Sequence, residues 1–244
     1  MTREENRLDL QKALISTGLT GYEARLYVAL LAQGRMSGYE AAKASGISRS
    51  NVYVALEGLL EKGGAWREDG EVTRYVPVPV DEYCLNRSRA LEQALDFIRA
   101  HAPERRTEPD AYITVSGDEA IRDKMRNMIR QASKRLYAAL DAAECVRLMP
   151  ELAEAVAHGK KVVLLTGREV TLPGAAIYPV AHSEPGRIRL ITDSAYVLTG
   201  GLSSPRSRGT CLFTANPTLI NLFKEAMKNE ITLTEMHTAP EKEN

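Results

Sequence analysis

The chain contains no apolar run approaching the roughly 20 residues that span a bilayer, and its opening MTREENRLDL lacks the apolar stretch of a secretory signal. A membrane partner is therefore not expected, and a cytoplasmic location is. Its three cysteines, Cys84, Cys145 and Cys211, are odd in number and far apart, which fits neither a disulfide framework nor the close spacing of a zinc site. They read as reduced thiols. His101, His158, His182 and His237 stand apart from one another and from the cysteines, so sequence spacing makes no case for a metal, although a cluster formed only in three dimensions stays open. The Gly-rich segments lack the lysine of a phosphate-binding P-loop and the spacing of a dinucleotide fingerprint, and no cofactor is expected. Net charge is missing too. Lys plus Arg and Asp plus Glu both number 32, so overall electrostatics lends nothing to nucleic-acid binding, and any such function must rest on local arrangement. Even the segment before Pro77 is balanced by acids such as Glu57, Glu61, Glu68 and Asp69.

What the chain does have is the composition of a folding protein, 44% apolar and 26% charged, in 244 residues, enough for two compact domains or one plus a long helix. From Leu8 to Pro77 helix punctuation is clear. Thr20 with Glu23 forms a capping box that opens a helix with Leu26, Tyr27, Leu30 and Leu31 on its apolar face, closed at Gly34. Ser37 with Glu40 repeats the box for a short helix of small residues, Ala41, Ala42 and Ala44, that stops at Ser45-Gly46. Ser48 suits the cap of the next helix, with Ile47 and Val52 as a hydrophobic staple fixing its angle. The spacing predicts a helix-turn-helix.

On this third helix Val52, Ala55, Leu56, Leu59 and Leu60 share one face, which leaves Ser50, Asn51 and Val54 opposite with Tyr53 on the flank. The stretch AWREDGEVTRYVPV, with Asp69-Gly70 as a hairpin signal, then predicts a wing whose strands carry Arg67 and Arg74. The chemistry suits double-stranded DNA. Arg49 can bridge a guanine edge or a phosphate, and Asn51 can pair with adenine. Ser50 and Tyr53 can take base or phosphate contacts, and Ser37, Ser48, Arg67 and Arg74 can hold the backbone that fixes register. A solvated helix-start role for Arg49 and a packing role for Tyr53 are the competing readings.

The segment GLTGYEARLYVALLAQGRMSGYEAAKASGISRSNVYVALEGLLEKGGAWREDGEVTRYVPV resembles the TrmB family of prokaryotic transcriptional regulators. The resemblance rests on the opening from Leu19-Thr20 to Tyr27, the helix and turn from Ala41 to Gly46, and Ser48 to Tyr53 leading into Leu56, Leu59, Glu61, Lys62 and Gly63. It implies an α+β winged helix-turn-helix over residues 1–78, a long connecting and dimerising helix over 79–103, and a C-terminal α/β effector domain of phospholipase D-like fold over 110–238. Such proteins regulate transcription, often of sugar metabolism. The longer sugar-responsive members hold their ligand in an additional C-terminal domain, which is not expected in a chain ending at Asn244.

Between Pro79 and Pro103 the run VDEYCLNRSRALEQALDFIRAHA has no interior Gly or Pro and predicts one continuous helix. Cys84, Ser88, Leu91, Leu95, Ile98 and Ala102 recur at steps of four and three, a coiled-coil seam in which Leu91, Leu95 and Ile98 would join two copies; packing on the chain's own C-terminal domain is the competing reading. A two-fold pair presenting two recognition helices about one duplex turn apart favours a homodimer.

After the charged linker PERRTEPD, strands are expected at YITV, RLYAAL, KVVLLT, RIRLIT and AYVLT. Helices are expected after a Ser116/Glu119 cap, over CVRLMPELAEAVAHG and over PTLINLFKEAMKN. This is α/β with a mixed sheet. RIRLITDSAYVLTGGLS resembles the part of the phospholipase D-like fold that carries the catalytic motif: histidine, lysine two residues on and aspartate five beyond. Aligning Asp193 on that aspartate puts Gly186 and Ile188 where histidine and lysine belong, so no covalent phosphohistidine can form and no catalytic residue is expected. A phosphodiesterase or nuclease targeted by the winged helix is the alternative. Arg187, Arg189, Asp193 and Gly200 are the candidates for binding a small-molecule or anionic effector, against solvated arginines, a turn aspartate and a close backbone approach as the plainer reading.

Overall fold

A computed structural model describes residues 3–103, 111–167, 169–180 and 185–238. It divides between Glu104 and Arg105 into two compact units. The linker PERRTEPD beyond Pro103 and His182 fall outside the described residues.

The first unit runs α1 (Arg3–Ser16), α2 (Gly21–Gln33), β1 (Met36–Ser37), α3 (Gly38–Ser45), α4 (Arg49–Glu61), β2 (Ala65–Glu68), β3 (Arg74–Pro77) and α5 (Val80–His101). Its antiparallel sheet has the order β1-β3-β2. Both capping boxes form as the sequence predicts: Glu23 N donates to Thr20 Oγ1 at 3.3 Å, and Thr20 N donates to Glu23 Oε2 at 2.7 Å, with the Ser37/Glu40 pair alike. Gly46, at φ 66°, supplies the left-handed turn between α3 and α4. One core holds the unit together, with Leu26, Leu30, Val52, Leu56 and Leu59 fully buried and Ile47 packed among them. Tyr27 and Tyr83 tie α5 to this core: Tyr27 OH donates to Val78 O at 2.8 Å, and the two rings lie 4.9 Å apart. Past that anchor α5 stands largely clear of its own unit's core, with Leu91 (61%), Leu95 (40%) and Ile98 (58%) exposed.

The second unit runs β4 (Ile113–Ser116), α6 (Asp118–Gln131), β5 (Arg135–Ala139), α7 (Ala142–Arg147), α8 (Met149–Ala157), β6 (Lys161–Thr166), β7 (Ala176–Pro179), β8 (Arg187–Thr192), β9 (Tyr196–Gly201), β10 (Thr210–Thr214) and α9 (Pro217–Thr238). The seven strands form one mixed sheet, β4-β10-β9-β8-β5-β6-β7, parallel only along β5, β6 and β7. Alternation of period two sorts each strand between two cores. Leu136, Leu164, Ile188 and Leu190 face a core shared with α6, α7 and α8, while Ala139, Val163, Leu165, Ile191 and Val197 face one shared with Ile220 and Met227 of α9.

Several local expectations are corrected. The N-cap of α6 is Gly117, at φ 94° and without a side-chain bond, so Ser116 stays in its strand and the Ser116/Glu119 box does not form. The expected single helix from Cys145 breaks into α7 and α8 before Pro150, whose ring cannot continue a helix interior but suits a helix's first turn. Strands β7 and β10 were not foreseen, because their four and five residues lack a long alternating pattern. Residues 69–73 form a five-residue loop between β2 and β3, not the two-residue hairpin that Asp69-Gly70 suggested.

Candidate nucleic-acid interface

One side of α4 is committed to the core and the other to nothing. Val52, Ala55, Leu56 and Leu59 are buried, while Asn51, Tyr53 and Val54 are exposed, Val54 at 73%. Val54 is thus a side chain of α4 that the chain's own fold leaves in water.

The details differ from the simplest expectation. Ser48 is the N-cap by position, yet its side chain makes no capping bond; its Oγ lies 3.2 Å from Ser50 Oγ instead. The opening amides of α4 are thus without a capping side chain, the arrangement that favours an anion. Arg49 rests on the ring of Tyr39, 5.0 Å from guanidinium carbon to centroid, which restrains the arginine at the helix start. Tyr39 was missed in the sequence; its position in the first turn of α3 offers no pattern that points across to α4.

Tyr53 leans across α3, its ring edge over Gly38, where a Cβ would come 2.5 Å from Cε1. Ser37, Gly38, Tyr39, Tyr53, Arg67, Asp69, Val72, Thr73 and Tyr75 enclose a cleft of about 430 Å³ between α3, α4 and the wing. Of the eight DNA-contact candidates, Ser37, Tyr53 and Arg67 line that cleft, Ser48, Arg49, Ser50 and Asn51 open α4, and Arg74 reaches Glu40 on the first turn of α3.

Ser37 is the least available, because its hydroxyl both donates to Glu40 Oε2 at 2.8 Å and accepts from Glu40 N at 3.3 Å. The Ser37 amide, which donates to Glu40 Oε2 at 2.8 Å, and after it the Ser37 hydroxyl hold the Glu40 carboxyl below the usual carboxylate range, with a smaller contribution from Arg74. Burial, with the charge of Glu57 adding to it, pushes the Tyr75 hydroxyl up. The wing arginines are ion-paired, Arg67 Nε to Asp69 at 3.3 Å and Arg74 Nη1 to Glu40 at 3.7 Å.

The second unit does not bring its four effector candidates together. Arg189 forms a two-pronged pair with Glu230 of α9 at 2.6 and 2.7 Å, and its side chain is mostly buried, so it pins a helix to the sheet and is not a free anion ligand. Asp193, at φ 52° in the β8–β9 turn, accepts the amides of Ser133 (2.6 Å), Lys134 (2.8 Å) and Arg135 (2.9 Å). Burial raises its pKa, yet those amides outweigh it and hold the carboxyl low. Gly200 is a close approach to the backbone of Thr210 and Cys211 in the adjacent strand, not the lining of a cleft. Arg187 and Asp193 lie at opposite ends of β8. At the positions aligned with the phospholipase D histidine and lysine, Gly186 donates its amide to Asp141 at 2.6 Å and Ile188 is fully buried. Among the described residues no three His, Cys, Asp or Glu side chains come together to hold a metal.

Residues 14–81 match the family described as sugar-specific transcriptional regulator TrmB. The uncharacterized protein YrhO of Bacillus subtilis is 29% identical over 178 residues, 72% of this chain and 64% of its own length, so the match spans under two thirds of that relative. TrmBL2 of Pyrococcus furiosus, a putative HTH-type transcriptional regulator, is 26% identical over 189 residues, 69% of this chain and 70% of its own. A solved structure of TrmBL2, described as an archaeal chromatin protein with a novel mode of DNA binding, superposes at a TM-score of 0.47 with 20% identity, covering 92% of this chain and 97% of that one. Nuc of Salmonella typhimurium, a phospholipase D family member, gives 0.39 and 16% identity over 49% of this chain and 93% of its own.

Proposed function

From a chain whose residues 14–81 match the TrmB family, we propose a DNA-binding transcriptional regulator that acts as a homodimer in the cytoplasm, with the opening turns of α4 in the major groove and the wing on the flanking backbone. The observation that supports this most is the division of α4 into a buried face and a bare one ending in exposed Asn51, Tyr53 and Val54. Asn51 has the amide that reads adenine, Arg49 the fork that reads guanine, and Ser48 and Ser50 the hydroxyls for phosphate.

The homodimer rests on α5. Its exposed Leu91, Leu95 and Ile98 repeat at steps of four and three, and a second copy of the same helix is the partner that such spacing fits. Sedimentation of the intact chain at micromolar concentration distinguishes the outcomes: a dimer that Leu95→Asp dissociates supports the proposal, and a monomer alone and on DNA overturns it.

The second unit is proposed as non-enzymatic. The aligned nucleophile position is a glycine and the aligned phosphate-binding position a buried isoleucine. No helix among the described residues is long and apolar enough to cross a membrane. The proposal includes no effector site, since Arg189, Asp193 and Gly200 have tasks within the fold.

Selection of bound duplexes from a random DNA pool is the direct test. Enrichment of a palindromic site, with Asn51→Ala lowering affinity for it by about tenfold to a hundredfold, is the expected result. Failure to enrich any sequence would sink the reading.

A further inference from the structure

The arginines around the wing are already occupied by carboxylates. Arg35 Nη1 reaches Glu68 at 3.1 Å, Arg67 Nε reaches Asp69 at 3.3 Å, and Arg74 Nη1 stands 3.7 Å from Glu40. Arg67 and Glu68 lie on β2, Asp69 opens the wing loop, and Arg74 on β3 faces the first turn of α3. All six side chains are between about two fifths and three quarters exposed, so each pair is open to exchange with a ligand from solvent. Arg49 on α4 is different: it lies on the ring of Tyr39, with no carboxylate within ion-pair distance among the described residues.

Resting on the reading of this face as a DNA site, the geometry points to Glu40, Glu68 and Asp69 as internal phosphate surrogates that occupy the wing arginines in the free protein and are displaced by the duplex. A guanidinium that leaves a carboxylate for a phosphate exchanges one charge-assisted pair for another, and its net contribution shrinks accordingly. Exposed pairs are weak, less than about fivefold each in an equilibrium constant, so the exchange proceeds readily. The carboxylates thereby hold down the phosphate-derived part of affinity, which is the part common to every sequence. Discrimination is left to α4. This arrangement also accounts for a DNA-binding unit whose basic residues are balanced by acids.

The surrogate role differs from a general effect of negative charge in one measurable way: it needs the partner arginine. Glu68→Gln and Asp69→Asn remove the carboxylates isosterically without touching the capping box that holds Glu40. Binding of intact wild type and variants to a random-sequence duplex is measured at low salt. The double variant is expected to bind several-fold to about tenfold more tightly. Glu71→Gln, which removes one charge from the same loop as Asp69→Asn does but pairs with none of these arginines, is expected to do little. In an Arg67→Gln background the gain from Asp69→Asn is expected to vanish, because the group it frees is gone.

An Asp69→Asn gain that persists without Arg67, or is matched by Glu71→Gln, overturns the surrogate role while leaving the DNA site intact. If wild type and double variant alike bind no duplex, the DNA reading fails and takes the inference with it.

Discussion

The buried pairs of the second unit and the open face of α4 in the first use their polar side chains in opposite ways. In the second, charge is spent on architecture: Arg189 clamps α9 through Glu230, Arg122 pairs with nearly buried Glu144, Arg130 with Glu151, and the Asp193 carboxylate collects three amides to lock a turn against β5. In the first, the start of α4 carries Ser48, Arg49, Ser50 and Asn51 outside the core, and the pairs beside them are exposed and weak. A polar group with a strong internal partner defines a fold, whereas one kept near an exposed surface with a weak partner or a stacking ring is ready to exchange. The comparison therefore sets the bare face of α4 apart from the clamped pairs of the second unit without reference to total charge, which is zero.

The most severe way to break the comparison is to rebuild the phospholipase D motif where the alignment places it. Ile188 is fully buried between the sheet and α6, α7 and α8, so Ile188→Lys puts an unpaired ammonium into an apolar core. A loss on the order of 4–5 kcal/mol is expected, enough to unfold the second unit. Chemical denaturation followed by circular dichroism checks this, and a stable Gly186→His/Ile188→Lys protein that cleaves a phosphodiester would reverse the assignment of both positions.

The next largest effect separates two arginines. Arg189→Ala leaves Glu230 without its partner and should cost about 2 kcal/mol of stability, with no consequence for DNA beyond that of a destabilised chain. Arg49→Ala should reverse the pattern, weakening the enriched duplex about tenfold or more while leaving the denaturation midpoint within error. Equal effects on both measurements for both variants would erase the distinction between the units.

Much of this was legible beforehand, and for a physical reason. In the first unit each boundary has a local cause: Thr20 with Glu23, Ser37 with Glu40, Gly46, and the 3.6-residue spacing of Val52, Leu56 and Leu59. The second unit yields less to inspection because its strands are covered on both faces. A run such as KVVLLT announces itself, but the short β7 and β10 owe their place to neighbours distant in sequence. The partners of Arg189, Asp193 and Arg74 share that property. Glu230 and Ser133 lie far along the chain from the residues they bind, and nothing in the local pattern of Arg189 or Asp193 points to them.

A smaller test concerns pH. Burial alone would raise the Asp193 pKa, but the amides of Ser133, Arg135 and Lys134 bring it below the ordinary value; burial likewise opposes, and Lys62 and Thr20 outweigh it, at Glu23 in the first unit. A carboxyl depressed in the folded state binds fewer protons there than in the unfolded chain. Its contribution is complete above the unfolded pKa of about 4 and disappears as pH falls through the folded value. Urea midpoints should fall as pH drops below about 4, and Asp193→Asn should flatten that dependence while lowering the midpoint at neutral pH. A wild-type acid limb steeper than that of the variant is the outcome required.

The finest distinction lies at Gly38. Its backbone φ is not left-handed, so alanine is allowed at this first position of α3, and the reduced freedom of the unfolded chain stabilises the fold by about 0.4–1 kcal/mol. The new Cβ, however, would stand 2.5 Å from the Tyr53 ring, and the exposed ring can swing away without disturbing the core. Stability and recognition should thus move in opposite directions: Gly38→Ala melts no lower than wild type yet binds the enriched duplex a few-fold more weakly. In Tyr53→Ala, where there is no ring to displace, the same substitution should leave affinity unchanged. If Gly38→Ala weakens binding equally with and without the tyrosine, then the ring is not what the glycine makes room for, and the orientation of Tyr53 over α3 has no part in recognition.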